Sequence, residues 1–286
     1  MKLLITDLDN TLYDWVGFYA HAFGAMVKQL SRSLQIPKER LLDEFKTIHQ
    51  FYGNSEQPYA ALELPSVQRR FPGMPRAEIA EQLVDALEVF DTAREKHLRL
   101  YDGVFDTLVR LTDDGVWIVG HTEASAANAY SRLHLLGISH FFRRLYTIAD
   151  HKETYFRGER PPRSFIREVS PADRKPNPRL IKDICNAEKV DLDEVWYVGD
   201  SLIRDVAMAK AAGVTAVWAK YGTEYDKELW NDLVRITHWT AADVAREEQL
   251  RRDAKNILPD YVIRTFGELP TLMAPHITNN AVSSVK

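Results

Sequence analysis

A single cysteine, Cys185, stands among 286 residues, so no disulfide can form within the chain. It lies in "LIKDICNAEKV", on what reads as the apolar face of a helix, and its expected role is packing as a small buried hydrophobe. No apolar run approaches the ~20 residues that a membrane-spanning helix needs. The chain opens "MKLLIT" and goes straight into acids, without the apolar stretch and cleavage site of a signal peptide. A cytoplasmic location is therefore the expectation. Positive charge is not in excess: 37 Lys and Arg against 41 Asp and Glu give a net charge of -4, which leaves no footprint for nucleic acid. Internal repeats and low-complexity segments are missing too. What is present is an ordinary globular composition, 45% hydrophobic and 27% charged, long enough for a full core and more than one compact unit.

The patterning changes character twice. Residues 2–6, "KLLIT", read as a short buried strand. From Trp15 to about Leu100 only helical periodicity is found. Phe23, Met26, Val27, Leu30 and Leu34 follow one helix face, and Leu41, Leu42, Phe45, Ile48 and His49 repeat the pattern behind Pro37. Ile79, Leu83, Ala86, Leu87 and Phe90 do so again behind Pro75. The stretch between, "SEQPYAALELPSVQRRFPGMP", is broken by prolines and reads as irregular connection. From Asp102 onward strands and helices alternate. The strands are "VWIVG", "RLYTIAD", "EVWYVGD", "VTAVWAK" and "DYVIRT", and "EASAANAYSRLHLLG" and "NPRLIKDICNA" are among the helices. This rhythm predicts an α/β fold, a Rossmann-like parallel sheet covered by helices on both faces. Residues 1–14 and 102–286 would form that core, and 15–101 an inserted all-helical unit.

Against this frame "TDLDNTLYDW" is conspicuous, because Asp7 and Asp9 point the same way from an extended segment and repel each other. An Asp-Asn turn or a helix cap is the plain reading. In parallel sheets, however, ligands gather at the carboxyl ends of strands. Asp7 and Asp9 follow the first strand, His121 and Thr122 follow "VWIVG", and Asp200 and Ser201 follow "EVWYVG". Acids from distant parts of the chain thus converge on one edge.

"DLDNT", "VGHTE", "RKPNP" and "VGDSLIRD", in this order and setting, resemble the motifs of the haloacid dehalogenase-like (HAD) superfamily. The helical unit sits where that family carries a helical cap. The resemblance implies a nucleophilic Asp7 that forms an aspartyl-phosphate. It implies Mg2+ held by Asp7, Asp200 and the backbone carbonyl of Asp9, with Asp205 binding directly or orienting metal-bound water. Asp9 would protonate the leaving oxygen and then activate water. The dehalogenases lack an acid at its position, so a phosphatase branch is implied. Thr122 and Lys175 would hold the phosphoryl oxygens and stabilise the nucleophile, with His121 beside them at the substrate. The plain alternatives are an N-cap for Thr122, a solvated loop lysine for Lys175 and helix-start acids for Asp200 and Asp205. Glu123 departs from the family's usual Asn and is expected to face away from phosphate, capping the helix or reaching the cap.

The function expected is Mg2+-dependent hydrolysis of a small phosphorylated metabolite, a sugar phosphate or a nucleotide. A phosphoryl transferase or mutase using the same nucleophile is the rival within enzymes, and a regulatory protein on the same fold the rival outside them. Tyr13, Asp14 and Trp15 mark the hinge, where the aromatics touch substrate or pack in the core. Between His151 and Lys175, seven Lys or Arg face four acids; Arg157, Arg160 and Arg163 would hold a second anionic group or form a solvated loop. The insertion at 223–257 reads as helical, packing on the core or on a second subunit.

Overall fold

A computed structural model describes residues 1–148, 161–170, 172–253 and 256–277. Among the described residues, seven strands form one parallel sheet: β1 (Leu3–Thr6), β2 (Trp117–Ser125), β3 (Arg144–Ile148), β4 (Ile166–Val169), β5 (Val195–Gly199), β6 (Thr215–Ala219) and β7 (Tyr261–Ile263). Their order is β4-β3-β2-β1-β5-β6-β7, which puts β1 at the centre. Five helices lie between β1 and β2 and continue the count of the helical stretch: α1 (Trp15–Leu34), α2 (Lys38–Tyr52), α3 (Pro65–Arg70), α4 (Arg76–Gln82) and α5 (Val84–His97). Then come α6 (Val104–Asp113), α7 (Ala126–Leu135), α8 (Pro178–Glu188), α9 (Ala207–Ala212), α10 (Lys227–Arg235), α11 (Ala241–Asp253) and α12 (Leu269–Met273).

Period-two alternation builds a core on each face of the sheet. Leu3 and Ile5 of β1 join Val119 and Tyr197 against Ile181, Ile184 and Cys185 of α8 and Met208 and Ala209 of α9. Leu4 joins Ile118 and Val198 on the opposite face, against Leu108 and Leu111 of α6, Leu133 of α7 and Leu269 of α12. All four β1 residues are buried, which fits a strand covered on both sides. Cys185 is buried in packing, as its helical position predicts.

The irregular reading of 55–75 needs correction: a 3-10 helix, Pro58–Glu63, and α3 occupy much of it. Pro58 and Pro65 sit in the first turn of each, where a missing N–H costs nothing, so they start helices rather than break them. Strand β4 falls in the Arg-rich stretch read as a loop. It is four residues long with a half-exposed pattern at the sheet edge, too short and too polar to announce itself. Arg157 and Arg160 lie outside the described residues. Among the described residues no helix is long and apolar enough to cross a membrane.

Candidate active site

Parallel register brings the strand ends to one level. Thr6 pairs with Gly120 on one side and Val198 on the other, so Asp7, His121 and Gly199 come next in step. The Asp7 N–H donates to Val198 O at 2.9 Å, extending the ladder by one bond and fixing where the carboxylate leaves the sheet. Lys175 Nζ donates to Asp7 Oδ1 at 2.7 Å and to Asp205 Oδ1 at 2.8 Å. Carboxylate oxygens of Asp7, Asp200 and Asp205 all lie within 4.8 Å of one another. A cavity of about 460 Å³ is lined by Asp7, Asp9, Thr122, Lys175, Asp200 and Asp205.

Burial sets the electrostatics. It pushes Asp7 up to about 7, Asp205 and Asp9 adding to the push and Lys175 opposing it. Asp200 is driven well above the usual carboxylate range by burial, then by Asp7 and Asp205. Burial also works against the Lys175 charge, but Asp205 and Asp7 hold the ammonium well above its ordinary value. One lysine thus faces three clustered acids. Such a set of hard oxygens, short of positive charge, fits a divalent cation. Asp205 is the least available of the three. Its Oδ1 also accepts from Tyr197 Oη at 3.2 Å and its Oδ2 from the Ser201 N–H at 3.1 Å.

Asp9 stands apart from that cluster. Tyr13 Oη donates to its Oδ1 at 2.7 Å, and Arg132 Nη2 of α7 lies 3.3 Å from the same oxygen. Burial raises its pKa, with Glu56 adding to the effect, while Arg132 and the Tyr13 hydrogen bond pull it down. Two acids separated by a single residue therefore have different partners, the condition for different roles.

The expected site residues fall out unevenly. Asp7, Asp9, Lys175 and Asp200 meet at one cavity. Thr122 lines it as well, but not as a helix cap: β2 runs on to Ser125, α7 begins at Ala126, and Thr122 Oγ1 accepts from the Ala124 N–H at 3.1 Å. His121, expected at the substrate, does not line this cavity. Its Nδ1 lies 3.0 Å from Tyr197 Oη. Because that hydroxyl donates to Asp205, the ring must carry its hydrogen on Nδ1. Burial and then Lys175 push its pKa far down, so a neutral His121 braces the Tyr197–Asp205–Lys175 chain from behind.

Glu123 turns toward its neighbours. It accepts from the Lys175 N–H at 3.2 Å and from Arg204 Nη1 at 3.0 Å. Arg204 reaches on to Glu247 of α11 at 2.8 Å, its guanidinium 5.4 Å from the Trp239 ring centroid. At the hinge, Tyr13 is buried, and Trp15 Nε1 donates to Glu56. Arg132 and Glu56 escaped sequence reasoning. A lone arginine on an amphipathic helix and a glutamate in a proline-broken stretch carry no spacing signal.

A family model described as haloacid dehalogenase-like hydrolase matches residues 1–213, and one described as HAD-hydrolase-like matches 172–269. A glyceraldehyde 3-phosphate phosphatase of Methanopyrus kandleri is 25% identical over 81% of this chain and 89% of its own length. Among solved structures, a 2-haloacid dehalogenase from Pseudomonas syringae superposes with a TM-score of 0.56 at 20% identity, covering 96% of this chain and 99% of that one. A HAD phosphatase from Thermococcus onnurineus gives 0.52 at 20% identity, covering 96% and 98%. Both structural likenesses are of fold. The family model spans well over half of the residues, and the chain belongs to the haloacid dehalogenase-like hydrolases.

Proposed function

We propose that the chain is a Mg2+-dependent phosphatase that hydrolyses a small phosphate monoester through a phosphoryl group carried on Asp7. One observation supports this most: Asp7 shares Lys175 with Asp205 and forms one acidic cluster with Asp200 and Asp205, while Asp9 is held separately by Tyr13 and Arg132. Asp7 and Asp200 would hold the cation, which when bound supplies the positive charge that lets a carboxylate approach a phosphate dianion. Asp7 forms the new bond to phosphorus as the bond to the leaving oxygen breaks. Asp9 in its acid form gives a proton to that oxygen. As carboxylate it then takes a proton from the water that attacks phosphorus and frees Asp7. Lys175 balances charge on the transferring group, and the Thr122 hydroxyl serves a phosphoryl oxygen. In this reading residues 15–101 act as a cap that shields the reaction from water.

The phosphatase names of the curated relatives make a triose phosphate the first ester to test. The measurement is phosphate release from a panel of phosphorylated metabolites, with Mg2+ or with chelator, and with an added alcohol to reveal transfer. Release should require Mg2+, yield inorganic phosphate rather than a new ester, and vanish in Asp7→Asn. Full turnover by Asp7→Asn would reject the reading.

A further inference from the structure

The guanidinium of Arg132 is almost sealed from solvent and lies between two carboxylates from opposite parts of the fold. On one side is Asp9, behind β1. On the other is Glu56, from the connection after α2, which pairs with Arg132 Nη1. Glu56 is held in turn: Trp15 Nε1 donates to it, and Asn128 Nδ2 donates to its Oε2 at 3.3 Å and to its backbone carbonyl at 3.0 Å. The rings of Tyr13 and Phe18 flank the guanidinium, at 5.7 and 5.9 Å from their centroids. A buried arginine with two acids and two aromatic faces has little freedom to move. Its remaining carboxylate contact is the side chain that must meet the leaving oxygen.

We propose that Arg132 is a positioning residue for Asp9, and that Glu56 is the tether that holds the guanidinium in place from the helical segment. Fixing the carboxyl against Tyr13 and Arg132 leaves it one orientation, so proton delivery does not wait on a rotamer search. Glu56 makes that orientation depend on contact between the helical segment and α7. The assignment rests on the phosphatase reading.

The test uses a graded series of substituted phenyl phosphates, from the dinitrophenyl ester, whose phenolate leaves without a proton, to the unsubstituted phenyl ester, which needs one. Single-turnover phenol release isolates the step in which Asp9 acts as acid. Arg132→Gln should leave the dinitrophenyl ester within about threefold of wild type and slow the phenyl ester by roughly 100-fold, the scale of lost general-acid catalysis. Arg132→Lys should recover part of the loss at the phenyl end. Glu56→Gln, which keeps a hydrogen-bonding side chain in the same space, should steepen the dependence in the same sense by about tenfold. It carries the test alone if Arg132→Gln fails to fold. An equal loss across the series in the folded variants overturns the assignment. A wild type inert on every ester removes the phosphatase reading and the assignment with it.

Discussion

Asp7 carries an electrostatic burden that has a direction. Burial places its folded-state pKa at about 7, against the ordinary 3.8. Between those values the folded protein binds the extra proton at Asp7, so without a cation the contribution of Asp7 to stability falls as pH rises through that window, opposite in sign to that of the buried histidines. The loss amounts to at most roughly 4 kcal/mol. Saturating Mg2+ should restore it, which thermal melts of metal-stripped and Mg2+-loaded protein across pH 4–7 would measure. Asp9→Asn should lower kcat on a poor leaving group by roughly 10²- to 10⁴-fold while KM changes little. Glycine carries a different constraint. A Cβ on Gly222 would stand 1.9 Å from Asn10 O and 2.7 Å from Asp200 Cβ. Gly222→Ala should therefore cost about 1–3 kcal/mol in urea unfolding and weaken Mg2+ binding by displacing Asp200. At this scale the strand-end acids were legible because a parallel sheet tells where its strands stop. Gly222 was not, since its neighbours meet it only in the fold.

At the scale of elements, most of the sheet and its helices could be read from periodicity, and the exceptions share a cause. Strand β2 outruns the apolar run "VWIVG" by five residues, because the ladder to β3 resumes at Ser125 after an irregularity beyond His121. Periodicity sees side chains, whereas a ladder needs only backbone, so the polar end of the strand looked like helix. β4 escaped for the same reason: it pairs with β3 through residues that barely alternate. Caps, by contrast, are local and legible. Asn177 begins α8 just beyond Lys175, its side chain accepting from the Arg179 N–H at 3.1 Å, with Pro178 in the first turn. Asn177→Ala should cost about 1 kcal/mol in urea unfolding.

Across the whole molecule, the insertion after β6 meets the helical segment, a contact that no one-dimensional pattern announced. Helix α10 packs on α1, His49 Nδ1 lies 2.8 Å from Ile236 O, and Ser55 Oγ lies 2.8 Å from His238 Nδ1. Arg235 reaches Asp43 at 2.7 Å. The insertion, expected to pack on the core or on a second subunit, meets the core where Arg204 pairs with Glu247, packs on the helical segment as well, and borders the candidate active-site cavity through Trp239, Glu247 and Arg251. Burial pushes His49 down to about 4, and burial followed by the Arg174 charge does the same to His238. For a depressed histidine the unfolded chain binds the extra proton between about 4 and 6.5, so stability is lost as pH falls through that window. His49 alone accounts for roughly 3 kcal/mol. His49→Gln should flatten that acid limb in melts recorded with Mg2+ present. The central claim is tested most directly by rapid acid quench during turnover, followed by mass spectrometry of the peptide that begins "MKLLITDLDN". The expected result is the added mass of one phosphoryl group on Asp7, lost in Asp7→Asn. Turnover with that peptide unmodified, or with the group on another residue, would contradict it.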